Sequence, residues 1–226
     1  MQPQLSQRLL TIAHLVSPNS FCIDIGTDHA LLPIYLLKTQ NISIAYAVDK
    51  NKKPLQQAQK NIDQFLLSQK CLVYQSNGFC HLTYTIPATI CMAGMGGHTI
   101  QNILEGRGTD QEHPIRELIL QPNDNIAMLR KYLWGQNWRL VTETIIKENH
   151  RFFITMKWIP QPKEVLPQQY SPEDVSLGLL LRQTKSDIFL EWLHQEKQRL
   201  LDIQRKAGIH FLKEQQDYLQ HIINEI

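Results

Sequence analysis

Asp24-Ile25-Gly26-Thr27-Asp28-His29-Ala30 follows the apolar run Phe21-Cys22-Ile23 and ends it with an acid and a glycine. A strand that runs out into such a turn lets the backbone come close to a ligand, because glycine has no Cβ. Upstream, residues 1–16 (MQPQLSQRLLTIAHLV) read as a short amphipathic helix with Leu5, Leu9, Ile12, Ala13 and Val16 on one side. Downstream the same unit recurs. A helix is expected over residues 30–37 and a second strand over 43–49, again ending in an acid, Asp49. Pro54 suits the first turn of a helix reaching about residue 67. Strands follow at 72–74, 88–92 and 117–120, leading into Asn77-Gly78, Ala93-Gly94-Met95-Gly96-Gly97 and Gln121-Pro122-Asn123 respectively. A helix over about 125–134 precedes two strands near 139–146 and 151–158. Strands alternating with helices imply a parallel sheet covered on both faces, and the last two imply an antiparallel edge pair.

Residues 159–167 are rich in proline and read as a linker or crossover. From about residue 172 the pattern is helical. Ile188, Phe189, Trp192, Leu193, Leu200 and Ile203 recur at helical spacing, and Phe211, Leu212, Tyr218, Leu219 and Ile222 continue it beyond Gly208. Two long helices folded back around Gly208 would bury both stripes. The expected division is therefore 1–160 for an α/β domain and 161–226 for a helical, coiled-coil-like one.

Composition sets outer limits. Hydrophobic residues make up 42% and charged residues 19% of the 226, which suits a globular fold. Net charge is only +2, but residues 1–160 hold 15 Lys/Arg against 11 Asp/Glu, and residues 161–226 hold 8 against 10. An anionic polymer would meet the first part. Lys50, Lys52, Lys53, Lys60, Arg130, Lys131, Arg139, Lys147 and Arg151 are candidate phosphate contacts. The four cysteines, Cys22, Cys71, Cys80 and Cys91, form no CxxC pair and are expected to be reduced thiols, with no metal site. No signal peptide or membrane-spanning run is apparent, so a cytoplasmic protein is expected.

In α/β sheets, ligands bind at the carboxyl ends of the strands near a topological switch point. The 24–30 turn is not GxGxxG, since Thr27, Asp28 and His29 follow Gly26. An acidic loop would repel the pyrophosphate of a nicotinamide cofactor. It suits the cationic methyl donor S-adenosylmethionine, which carries a sulfonium and an ammonium and no phosphate. Asp49 can accept both hydroxyls of an adenosyl ribose, and Asn77-Gly78 can meet an adenine edge or be a simple turn. The expected cofactor residues are Asp24, Ile25, Gly26, Asp28, Asp49, Lys50, Asn77, Gly78, Ala93, Gly94, Met95 and Gly96. The glycines of 93–97 leave space for a flat base or the donor, and this loop lacks the (Asn/Asp)-Pro-Pro-(aromatic) pattern of many exocyclic-amine methyltransferases. Gln121-Pro122-Asn123 can hydrogen-bond the Watson–Crick edge of a base, or Asn123 or Asp124 can cap the next helix. Asp28 can equally be a helix N-cap. His29 and His98 are candidate bases, although lone histidines near loops are more often structural.

Residues 24–33 (DIGTDHALLP), 93–97 (AGMGG) and 118–123 (LILQPN) occur together and in order. With Glu143, Lys147-Glu148 and Phe152-Phe153, the set resembles the bacterial tRNA (adenine-22-N1)-methyltransferase family over nearly the whole chain. That resemblance implies a Rossmann-like class I methyltransferase sandwich with a C-terminal antiparallel helical extension. It implies methyl transfer from S-adenosylmethionine to N1 of adenine 22 in tRNA; separately, a monomer is expected. Asp28, His29, Gln121, Pro122 and Asn123 would then face the target base. Lys53 stands where many members have glycine, and Asn149-His150-Arg151 replaces a more usual acidic-glycine turn. The rival readings are a methyltransferase for a protein or small molecule, and a non-catalytic RNA-binding module on the same fold.

Overall fold

The computed structural model describes residues 2–39, 41–108, 113–162, 169–207 and 213–226. Seven strands form one sheet: β1 (Ser20–Ile25), β2 (Ile42–Asp49), β3 (Cys71–Gln75), β4 (Ala88–Met95), β5 (Ile115–Pro122), β6 (Trp138–Glu148) and β7 (Arg151–Pro160). Their spatial order is β3-β2-β1-β4-β5-β7-β6. The first five run parallel, and β7 pairs antiparallel with both β5 and β6. The expected antiparallel pair is thus present, with its second strand inserted beside β5 and its first left at the edge. The chain moves one way from β1 through β2 to β3, then returns to β4 on the other side of β1. The switch point lies between β1 and β4.

The helices of the α/β part are α1 (Gln7–Leu15), α2 (Leu31–Lys38), α3 (Lys52–Gln64), α4 (Gly97–Glu105) and α5 (Ile126–Gly135). Strand alternation sorts the core into two faces. From β1, β4 and β5, Phe21, Ile23, Ile25, Ile90, Met92, Leu118 and Leu120 pack in one cluster with Ile100 and Leu104 of α4 and Leu129 and Leu133 of α5. Cys22, Cys91 and Ile119 face the other way, against Ile12 and Ala13 of α1, Leu32, Ile34 and Leu36 of α2, and Ala58 and Ile62 of α3. Each large buried side chain contributes roughly 1.5–3 kcal/mol of transfer free energy. All four cysteines are free; Cys80 is exposed and the other three are buried.

Helix α4 has no counterpart in the sequence reading. It opens on Gly97, a poor helix former, and its stability comes from outside. The Gly97 N–H donates to Asp124 Oδ1 at 3.1 Å, across from the neighbouring loop. Neither of the alternative cap readings holds. Asp28 does not cap α2, whose preceding residue is Ala30 with φ +56° and no side-chain cap. Neither Asn123 nor Asp124 caps α5; Asn125 precedes it, also without a side-chain cap.

The tail is more broken than two long helices. A π-helical turn (Asp174–Gly178) leads into α6 (Leu179–Thr184), then α7 (Asp187–Ala207) and α8 (Lys213–Glu225). Gly178, at φ +104°, separates the first two, and Lys185, at φ +43°, ends α6. The expected turn at Gly208, with Phe211 and Leu212, lies outside the described residues. Leu177, Leu181, Phe189, Leu193, Leu200 and Ile222 bury into the cluster that contains the sheet core, so the tail packs on the α4/α5 face. Tyr170 stacks on Trp134 of α5, centroids 3.6 Å apart. Arg130, a candidate phosphate contact from the sequence, is fully buried beneath this tail and ion-paired to Glu143, so it cannot meet RNA. Among the described residues no helix is long and apolar enough to cross a membrane.

Candidate functional site

Asp24, Ala93 and Gln121 lie near the carboxyl ends of β1, β4 and β5, Ala93 paired with Gln121 and Asp24 two positions further back. The alternation that buries Ile23, Met92 and Leu120 toward α4 and α5 turns these three toward α1. Helix α1 brings Arg8 to meet them. Arg8, Asp24 and Ala93, together with Gly26, Asp28 and Gly94, surround a cavity of about 290 Å³ at the switch point, with Gln121 behind Arg8. A second, smaller cavity of about 140 Å³ lies beyond Gly26, between β1, β2 and β4, and is lined by Asp49, Asn77, Gly78, Met95 and Ile103. Gly26 borders both lobes.

The two lobes differ in chemistry. The first holds a cation, Arg8, and two acids. Asp24 is 5% exposed. Burial pushes its carboxyl up to about 6; the Asp49 charge adds to the rise, while the Thr27 side chain and the Arg8 guanidinium pull it partway back. An acid held this way gains from any cation placed beside it. Asp28 is exposed, at φ +51°, with its Oδ2 3.4 Å from His29 Nε2. The second lobe is narrower and combines apolar walls with Asp49, whose Oδ1 already accepts the Asn51 N–H at 2.8 Å.

Glycine is required at particular points. Gly26 sits at φ +80°, and a Cβ there would collide with the Met95 side chain, which lies between the lobes. Gly94, at φ +75°, faces the first lobe, where a Cβ would come 3.5 Å from Arg8 Nη1. Gly96 and Gly97 do something else. Their missing side chains let the β4 loop pack on Asp124 and Asn125, which would stand 2.9 Å and 2.7 Å from a Cβ. Gly96, expected in the cofactor set, borders neither lobe.

The loop after β5 is organised by a chain of amides. Arg8 Nη1 donates to Gln121 Oε1 at 2.8 Å. Gln121 Nε2 donates to Asn123 Oδ1 at 3.2 Å and to the Pro122 carbonyl at 3.0 Å. Asn123 Nδ2 donates to the Gly94 carbonyl at 2.8 Å. Gln121 is fully buried with both amide ends engaged, and Pro122 is buried too, so of the five residues expected to face a base Asp28, His29 and Asn123 are exposed and these two are not. These two support Asn123 from behind. Lys50 is exposed at the rim, and Ile25 is buried below Gly26.

Arg8 is the residue the sequence reading missed. One arginine in an amphipathic helix carries no motif, and only the packing of α1 across the strand ends brings it to the site. Among the described residues no cluster of His, Cys, Asp or Glu could hold a metal ion. A charged lobe suited to an amino acid, joined at a glycine to a lobe suited to a nucleoside, fits S-adenosylmethionine.

Comparison with known proteins agrees with this geometry. A family model described as a methyltransferase domain matches residues 5–156. The Bacillus subtilis tRNA (adenine(22)-N(1))-methyltransferase is 29% identical over 204 residues, covering 88% of this chain and 84% of that protein. The crystal structure of Streptococcus pneumoniae Sp1610, provisionally assigned as a tRNA (m1A22) methyltransferase, superposes with a TM-score of 0.88 at 31% identity over 98% of this chain and 99% of that one. The structure of M. capricolum TrmK with the cofactor product S-adenosyl-homocysteine gives 0.83 at 27% identity, over 98% and 97%. Matched in sequence and fold over almost its whole length, the chain belongs to the tRNA (adenine(22)-N1)-methyltransferase family.

Proposed function

We propose that this protein transfers a methyl group from S-adenosylmethionine to N1 of adenine 22 in tRNA, acting as a cytoplasmic monomer with residues 1–160 as its catalytic part. The observation that carries the reading is the buried Asp24 carboxylate at the switch point, in a turn without phosphate-binding glycines. When bound, the donor supplies an electrophilic methyl group on a sulfonium. Asp24 takes the donor's ammonium. Asp49, with Oδ2 free of the Asn51 contact, takes the ribose hydroxyls, and Asn77-Gly78 border the adenine. Gly94 keeps the space between donor and target base open.

N1 of unpaired, neutral adenine has its own lone pair, so no residue has to remove a proton before attack. The enzyme's contribution is alignment of the reacting atoms and stabilisation of the positive charge that develops on the ring. Asp28, an exposed carboxylate on the wall of the first lobe, supplies the negative counter-charge in this reading. Asn123 receives the base edge, held by Gln121 and the Gly94 carbonyl. Extracting the base from its pairing costs about a few kcal/mol, and shape and phosphate contacts carry most of the tRNA recognition.

The direct test is methyl transfer from labelled donor to an unmodified tRNA transcript, with the product nucleoside mapped by mass spectrometry. N1-methyladenosine at position 22 is the expected product; methylation of a protein or small molecule instead would overturn the tRNA reading. Asn123→Ala is expected to keep S-adenosylhomocysteine affinity within about threefold while lowering kcat roughly 10- to 100-fold, because only base alignment is lost. An unchanged kcat would remove Asn123 from the base site.

Asp24 also predicts a pH dependence. The free protein holds it protonated below about pH 6, and a neutral acid cannot pair with an ammonium. Donor affinity should therefore rise with pH through that point and level off above pH 7. At pH 5 only about a tenth of the protein has Asp24 ionised, so S-adenosylhomocysteine should bind about tenfold more weakly than at pH 7.5. Calorimetric titration across pH 5–8 checks this, and a flat profile would refute it.

A further inference from the structure

The amide chain behind the loop after β5 has a fixed direction, set by the groups at its ends. Arg8 Nη1 donates to Gln121 Oε1 at 2.8 Å, and a guanidinium has donors only. Gln121 Nε2 donates to the Pro122 carbonyl at 3.0 Å, and Asn123 Nδ2 to the Gly94 carbonyl at 2.8 Å. A carbonyl only accepts. Turning the Gln121 amide over would set donor against donor at Arg8 and oxygen against oxygen at Pro122. Turning Asn123 over would set oxygen against oxygen at Gly94. The link between the two side chains, Gln121 Nε2 to Asn123 Oδ1 at 3.2 Å, therefore runs one way as well. Gln121 is fully buried, and the Asn123 backbone N–H is tied to the Met95 carbonyl at 2.8 Å. Asn123 itself is exposed, next to the Gly94 that lines the first lobe.

A primary amide has two N–H groups and two oxygen lone pairs. In Asn123 one of each is taken, so one acceptor and one donor remain for a ligand. Resting on the tRNA-methylation reading above, we propose that this relay makes the site select adenine. Asn123 Oδ1 accepts a hydrogen bond from the exocyclic N6 amine, its remaining N–H donates to N7, and Gln121 is the positioning residue that keeps the amide this way round. N1 attacks the methyl group and must keep its lone pair free of the protein. Beside it, the edge of adenine carries N6, a donor, and N7, an acceptor. That pair is the complement of what Asn123 has left. Guanine presents two acceptors there, O6 and N7, and its O6 would face Asn123 Oδ1. An amide free to turn over could offer N–H to that oxygen instead, so holding the direction is what excludes it. Arg8 anchors the direction from the far end of the chain.

The experiment measures transfer of labelled methyl to two tRNA transcripts, under single-turnover conditions with enzyme in excess and donor saturating. One transcript has adenosine at position 22. The other has purine riboside there, which keeps N1 and N7 and lacks the N6 amine. Wild type is expected to favour adenosine by roughly 10- to 100-fold. Part of that ratio is the base's own N1 reactivity, which is common to all variants and cancels between them. Asn123→Ala and Gln121→Glu should each shrink the ratio about fivefold or more, by losing rate on adenosine and little on purine. Gln121→Glu keeps the length of the side chain and a bond to Arg8, but its carboxylate cannot donate to Asn123. Equal losses on both transcripts, leaving the ratio within about twofold of wild type, would mean that the amides merely support the loop and would overturn the proposal. A wild-type ratio near one would overturn it too. If wild type binds S-adenosylhomocysteine but leaves the adenosine transcript unmethylated, the tRNA reading itself fails, a result distinct from either.

Discussion

Replacing Asp24 with Asn is expected to do two opposite things: abolish useful donor binding and make the protein more stable. Both follow from one buried charge. In the folded chain the Asp24 carboxyl is pushed up to about 6 from an ordinary value of 3.8, chiefly by burial. An acid whose folded value is raised lowers stability when ionised. The penalty is absent below about pH 4, grows between pH 4 and 6, and is full at neutral pH, where it amounts to about 3 kcal/mol. Asn has nearly the same shape and no charge, so Asp24→Asn should raise Tm by roughly 5–10 °C at pH 7. That gain should shrink toward zero at pH 4. The same substitution removes the buried anion of the lobe. Losing one partner of a buried charge pair costs 10²-fold or more in affinity by order of magnitude, so S-adenosylhomocysteine binding should fall by about that factor. Thermal unfolding at pH 7 and pH 4, with calorimetry at pH 7, checks both parts. An unchanged Kd would put the ammonium elsewhere, and a lower Tm would mean that Asp24 is a structural acid. The expected pair of results describes a site that holds an unfavourable charge in place for its ligand.

Much of this could be read in the sequence because it depends on local pattern. Strand ends are marked by Asp24, Asp49, Asn77, Ala93 and Gln121, each following an apolar run, and one topology places all five at the same edge of a parallel sheet. The sequence motifs therefore led to the crevice. Other features depend on distant contacts that leave no local trace. Gln121 looks like a ligand-facing amide, but the period-two alternation of β5 points it inward to α1, where Arg8 engages it. Gly96 looks like part of a binding loop, but its space is taken up by Asp124. Helix α4 begins on glycine and has weak intrinsic preference, so the Asp124 contact from the neighbouring loop after β5 marks its start. Arg130 reads as a surface cation because its partner is 13 residues away on another element. In each case composition and spacing identify the residue's capacity, and tertiary packing decides how it is used.

Arg130 and Glu143 give the second large effect, and it concerns stability. Arg130 Nε donates to Glu143 Oε1 at 2.8 Å, with the two side chains 1% and 0% exposed. Both ends of the pair also hold the start of the tail. Arg130 Nη1 donates to the Val175 and Ser176 carbonyls at 2.9 Å and 3.3 Å, and Glu143 Oε2 accepts the Leu180 N–H at 3.3 Å. Gly178 passes between them at φ +104°, where a Cβ would stand 2.6 Å from Glu143 Oε2. Arg130→Met leaves Glu143 buried without its counter-ion, and Glu143→Leu does the same to Arg130. Each is expected to cost about 3–5 kcal/mol, visible as a Tm lower by roughly 10 °C or more. The double variant, Arg130→Met with Glu143→Leu, removes both charges at once. It should be less damaging than the sum of the singles, by several kcal/mol. It should not be neutral, because the tail's carbonyls and N–H lose their partners at about 1–3 kcal/mol each. Strict additivity would show that the two charges do not interact. The first lobe lies on the α1 face, on the far side of the sheet from this pair, and neither Arg130 nor Glu143 lines either lobe. The folded fraction of every variant should therefore bind S-adenosylhomocysteine as wild type does. A variant that loses donor affinity in proportion to its loss of stability would mean that the tail and the donor site fold as one cooperative unit, with the buried ion pair as the link between them.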